Sequence, residues 1–193
     1  MLALLYPFRR FARDERGAIL LETIIMLPVL IWALLAMAAY WDAYRTVNRQ
    51  QKAVYAVADV IARQRTVTTT YVDAMDNVVN YMLDDNQTVK LRLTSVGWDE
   101  SSQKFTVKWS RSPDNKMVAL TNTTLQPLAP KIPKMTASST IVLLETELGY
   151  VPNINVGVNN SMGIQAQTLR QFIVTRPRFS DKICLVNGGS TIC

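Results

Sequence analysis

The sequence predicts an α+β protein. A long N-terminal helix crosses a membrane, continues as an amphipathic helix and packs on a small antiparallel β-sheet head. Three observations carry this prediction. Residues 18–41 are almost wholly apolar, residues 42–65 show an apolar stripe at helical spacing, and from Thr88 onward apolar and polar residues alternate as in a strand.

The apolar run reads AILLETIIMLPVLIWALLAMAAYW, from Ala18 to Trp41. A bilayer core needs about 20 such residues in a helix, and this run supplies more. Glu22 is the one acid or base inside it. Tyr40, Trp41 and Tyr44 cluster at its far end, where aromatic rings suit a membrane–water interface. A cleaved secretory signal has a shorter apolar core of about 7–15 residues before a small-residue site, and AMAA at 36–39 gives only a weak version of that site. Arg9, Arg10, Arg13 and Arg16 precede the run, and Arg45, Arg49 and Lys52 follow it. This bias favours a cytoplasmic N-terminus only mildly.

After the run, Val47, Val54, Ala58 and Ile61 form one helical stripe with no Gly or Pro to interrupt it. The helix is therefore expected to reach about Arg65. A Thr-rich break at Thr66–Thr70 precedes a second helix over 71–83, capped by Thr69 or Thr70, with Val72, Met75, Val79 and Met82 on one face. Residues 88–96 and 104–110 alternate as two strands of a hairpin joined across Gly97–Gln103. The prolines of 110–138 argue against regular structure there, apart from a short helix at 115–121. STIVLLETELGY reads as a strand buried on both faces, and Asn153–Met162 as a loop. TLRQFIVTRPR reads as a fourth strand ended by Pro177, and KICLV as a short fifth before a tight turn at Asn187-Gly188-Gly189.

The function classes narrow by exclusion. With no histidine in the chain, the commonest general base and metal ligand are missing. No metal site, cofactor or catalytic constellation is expected. Asp84-Asp85 and Asp99-Glu100 read as solvated turn residues, and GVNNSMG lacks the lysine of a phosphate loop. The net charge of +6 comes from scattered residues, so no nucleic-acid partner is expected; contact with anionic lipid or a solvated face accounts for it. The only cysteines, Cys184 and Cys193, suggest a disulfide, and disulfides persist outside the cytoplasm.

The segment RDERGAILLETIIMLP holds the most specific signal. A charged leader ends at Gly17, the apolar helix begins with Ala18, Glu22 is the fifth residue after the glycine, and Leu27-Pro28 follow. Over about residues 8–65 this resembles the TadE/TadF-like minor pseudopilins of the tight-adherence (Tad/Flp) type IV pilus system. Thr23 stands where the major pilins of that system usually carry tyrosine. The resemblance implies a pilin-like plan: a leader over 1–17, a transmembrane helix over 18–41, its amphipathic continuation over 42–65 and an extracytoplasmic head over 66–193. It implies cleavage between Gly17 and Ala18 by a prepilin peptidase, and a location in the inner membrane or in a pilus. It implies partners among other pilins or pseudopilins through the membrane helix, with Glu22 setting register between copies. Pro28 is expected to kink or loosen the helix. A bitopic membrane protein with an extracytoplasmic binding head, uncleaved, remains the alternative, and a membrane-tethered enzyme would need chemistry that the sequence does not display.

Overall fold

The computed structural model describes residues 16–83, 88–136, 139–152 and 164–193, with side chains from Ile19 onward. The leader, the Asp84-Asp85 pair and the expected loop at Asn153–Met162 lie outside the described residues. The chain divides into two compact units, one of Met1–Ala43 with Pro152–Gln165 and one of Tyr44–Val151 with Ala166–Cys193.

Helix α1 runs from Arg16 to Ala62 with Pro28 inside it and no break in the helical assignment. Its first part is apolar on every side, and from Ile19 to Met37 its large apolar side chains are exposed. Its second part is apolar on one side only: Ala53, Val54, Val57, Ala58 and Ile61 are buried, whereas Lys52 and Tyr55 are exposed. That stripe recurs at three- and four-residue steps, as one face of a helix requires. Arg63 and Gln64 close the helix with amides bonded back to Val60 and Ile61 carbonyls.

The head is α+β, as the sequence predicts, although it holds two sheets. The larger is antiparallel, with order β3-β2-β4-β5: β2 is Val89–Asp99, β3 Lys104–Arg111, β4 Thr140–Tyr150 and β5 Gln167–Thr175. Strand β4 lies inside the sheet, and Thr140 to Leu144 are buried on both faces, so its apolar run has an explanation. On one face Leu91, Leu93, Leu144 and Leu148 pack against Val54, Val57 and Ile61 of α1 and against Val72 and Val79. On the other face Val96, Ile141 and Leu143 pack under Leu120, Leu125 and Ile132 of the connecting segment.

The smaller sheet joins β1 (Thr66–Thr68), β6 (Cys184–Asn187) and β7 (Ser190–Ile192). Strand β1 falls in the stretch expected to be a plain break. It pairs parallel with β6, Val67 opposite Leu185, and both side chains are buried. The short fifth strand of the sequence reading is therefore β6, and it belongs to this second sheet.

Three local expectations need correcting. Helix α2 covers Thr69–Met82, and its cap is Thr68, whose hydroxyl accepts from Tyr71 N at 3.0 Å. Met82 is 44% exposed, and the buried face holds Val72, Asp76 and Val79 with Met75 half-buried. Gly97 is a strand residue facing Thr106 and Thr140, so the β2–β3 turn is shorter than Gly97–Gln103. In that turn, hydrogen bonds from Ser102 and Ser101 hold the Asp99 carboxyl below its usual range. The helix expected at 115–121 does not form. Asp114 and Asn115 take φ of 50° and 52°, which a right-handed helix excludes. The helix, α3, waits until Asn122–Leu125, after a capping box between Thr121 and Thr124, and gives way to a 3-10 turn over Gln126–Lys131.

Candidate functional site

Two places in the chain hold the residues that the sequence marks as functional. The first is the start of α1. Gly17 and Ala18 lie within the helix. Glu22 is exposed on a surface that helical spacing builds from Ile19, Ile25 and Met26. Its neighbour Thr23 is different: the Thr23 hydroxyl donates to Ile19 O at 2.7 Å, so its polarity is spent within the helix. Among the described residues Glu22 has no hydrogen bond or ion pair. A carboxylate on an apolar helix is costly in hydrocarbon unless a cation or donor meets it.

The second place is the C-terminal hairpin. Cys184 and Cys193 are bonded, nine positions apart. Between β6 and β7, Gly188 and Gly189 take φ of 55° and 89°, values that glycine adopts without a Cβ clash. The hairpin is fixed to the rest of the head on three sides. Cys184 N donates to Arg65 O at 3.2 Å, Trp109 Nε1 donates to Ile183 O at 2.8 Å, and Asp181 O accepts from Thr140 N at 2.8 Å. Closing a ring this short stabilises the head by roughly 2–3 kcal/mol on a chain-entropy argument.

The structure also exposes polar groups that sequence reading passed over. Gln50 lies fully buried on α1, with its amide donating to Thr146 Oγ1 and to Leu169 O, each at 3.2 Å. It links the helix to β4 and β5, and its Oε1 has no partner among the described residues. On α2, the Asp76 side chain is 4% exposed and meets Lys116 Nζ at 2.7 Å. The hydrogen bond to that carboxylate holds the Lys116 ammonium above the usual lysine range, against partial burial that lowers it. Gln50 and Asp76 sit where a helical wheel built from apolar residues alone assigns no role.

A cavity of about 390 Å³ opens beside β5, among Arg92, Leu120, Lys131, Glu145, Arg170 and Phe172. Its charges are matched within the protein: Arg92 meets Glu145 at 2.8 Å, Arg170 meets Glu147 at 3.1 Å, and Lys131 lies 5.9 Å from the centre of the Phe172 ring. Charges so paired leave little to orient a ligand. Among the described residues no three Asp, Glu or Cys side chains are grouped to hold a metal ion.

Fold and site together define a class: an α+β protein with a helix near its N-terminus long and apolar enough to cross a membrane, and a disulfide-closed C-terminal hairpin. Compared with protein-family models, with curated proteins and with solved structures, the chain matches none.

Proposed function

We propose that the chain is a TadE/TadF-like minor pseudopilin that acts in the structure or assembly of a tight-adherence pilus, a scaffold role and not a catalytic one. The observation that carries this reading is Glu22, a carboxylate with no partner among the described residues, five residues after Gly17 on an exposed apolar surface. In this reading a prepilin peptidase cuts between Gly17 and Ala18 at the cytoplasmic face of the inner membrane. Cleavage frees the Ala18 amine, which is cationic at neutral pH. The Glu22 carboxylate of one copy then accepts from the amine of a neighbouring pilin when the two helices stand at the correct axial offset. An unpaired carboxylate in hydrocarbon disfavours every other offset, so Glu22 acts on register.

Other features agree with this placement. Tyr40, Trp41 and Tyr44 fall where the apolar run ends, at the level of the second headgroup layer. The Cys184–Cys193 bond suits a head in the oxidising periplasm. Pro28 removes one helix hydrogen bond and gives the membrane segment a point of extension under load.

The test is the intact mass of the protein taken from its native membrane, with and without the cell's prepilin peptidase. Loss of residues 1–17 only when the peptidase is present supports the reading, and Glu22→Ala is then expected to leave processing intact while assembly fails. A full-length mass in both cells overturns it in favour of an uncleaved bitopic protein with a binding head.

A further inference from the structure

One end of the head gathers cations that are scattered in the sequence. Residues 176–182, RPRFSDK, follow β5 and are pinned at two points. Arg178 N donates to Ala62 O at 2.8 Å, and Asp181 O accepts from Thr140 N at 2.8 Å. The first bond sets Arg178 beside the end of α1, where Asp59 meets both the Arg178 and the Arg63 guanidinium, at 2.6 Å and 2.9 Å. Arg65 stands next to Cys184, at the exit of the same segment. Arg176 donates to Lys134 O at 3.1 Å and so brings Lys134 to the cluster. With Lys182, six cations share this end with Asp59 and Asp181, an excess of 6 − 2 = 4 of the chain's net +6. Phe179, at the middle of the segment, is 62% exposed.

We propose that this end of the head is a docking surface for an acidic polysaccharide, its carboxylates or phosphates taken by Arg65, Lys134, Arg176 and Lys182, the cations that Asp59 does not meet, and the apolar face of a sugar ring taken by Phe179. The backbone bonds at Arg178 and Asp181 fix the backbone of the segment before any ligand arrives, which lowers the ordering cost of binding. The chain's own lipid headgroups are a poor fit. Tyr44 follows the apolar run closely, and about 27 Å of helix separates it from Ala62 at about 1.5 Å per residue. Headgroup charge is screened over about 8 Å at physiological salt. Nucleic acid fits less well on two grounds. Duplex DNA carries one charge per about 1.7 Å, and Asp59 and Asp181 oppose so dense a polyanion. Single strands stack successive bases on several rings, whereas this segment offers one. A polymer with a charge on some of its sugars matches a sparse cluster with carboxylates among the cations. The presence of such a polymer at the head rests on the periplasmic or surface placement proposed above. Its binding is measured on the isolated protein, so failure here leaves that placement standing.

The experiment passes the full chain, extracted in non-ionic detergent, over immobilised polygalacturonate, neutral dextran and duplex DNA. The expected result is retention on polygalacturonate that rising salt releases, and none on dextran. Arg176→Glu with Lys182→Glu is expected to weaken binding by about tenfold or more, with Phe179→Ala weakening it about threefold and Lys90→Glu, outside the cluster, changing it by less than about twofold. Competition on the unaltered chain needs no variant: soluble polygalacturonate displaces the protein from the matrix, and DNA at equal charge does not. Absence of salt-sensitive retention overturns the proposal. So does a double variant that folds and binds as before, and so does DNA that competes equally well, which marks a nucleic-acid or general polyanion surface.

Discussion

Residues 19–41 and residues 44–62 belong to one helix and are packed in opposite ways. The first stretch exposes its large apolar side chains around the whole circumference, and the second buries Ala53, Val54, Val57, Ala58 and Ile61 while turning Lys52 and Tyr55 outward. Apolar content therefore does not by itself decide burial within the chain. The angular distribution of that content does: a stripe finds a sheet to cover it, and a full circumference calls for a hydrocarbon solvent.

The sharpest way to break this contrast is a matched pair of truncations. Leu144→Ala, in the middle of the buried sheet, is expected to destabilise the head by about 2–5 kcal/mol. Leu30→Ala, on the exposed apolar stretch, is expected to leave the denaturation midpoint of the head unchanged. A large effect from Leu30 would mean that the first stretch is part of the head's core. Next in size is the staple. Cys184→Ser with Cys193→Ser should lower unfolding free energy by roughly 2–3 kcal/mol in urea titrations, and reductant should reproduce the loss in the unaltered protein.

The Asp76–Lys116 pair refines the comparison, because here the head buries a charge that it has itself matched. Lys116→Met leaves the Asp76 carboxylate without its cation and is expected to cost about 1–3 kcal/mol. Its pH signature has a defined sign. The ammonium is held above its unfolded value, so its contribution is complete at neutral pH and is lost as pH rises through the alkaline lysine range. Urea midpoints measured at increasing pH should fall in the parent and stay flatter in Lys116→Met. The smallest expected effect is at the α2 cap: Thr68→Ala removes the acceptor for Tyr71 N and should cost about 1 kcal/mol.

Periodicity made the long helix, α2 and strands β2 to β6 legible in the sequence, because each repeats its pattern or is framed by turn residues. The elements that escaped are those fixed by distant partners. Strand β1 is three residues long, too short to show alternation, and its ladder lies at Cys184–Val186. Gln50 carries no apolar signal, and its place shows only in Thr146 and Leu169 O beside it. The stretch 115–121 has helix-compatible composition, but Asp114 and Asn115 turn left-handed and place Lys116 against Asp76. At the start of α1, Glu22 is conspicuous as the one acid in an apolar run, and the role read for it comes from the resemblance of the segment around Gly17. The cationic end stayed hidden because its members come from residues 63–65, 134 and 176–182, which only the fold brings together.

The parallel pairing of β1 with β6 bears on how the molecule is made. Val67 follows the long helix directly, yet its ladder partner Leu185 lies 185 − 67 = 118 positions further along the chain. Closing so long a loop is slow relative to local helix formation, so this step falls late in folding. Until it happens, the end of α1 and Val67 lack their cover, and Ile183 and Leu185 are missing from the core. A chain cut short before Ile183 would keep α1 and most of the large sheet while exposing that apolar seam. Removal of β6 and β7 would therefore be felt at the end of α1, as a sticky surface.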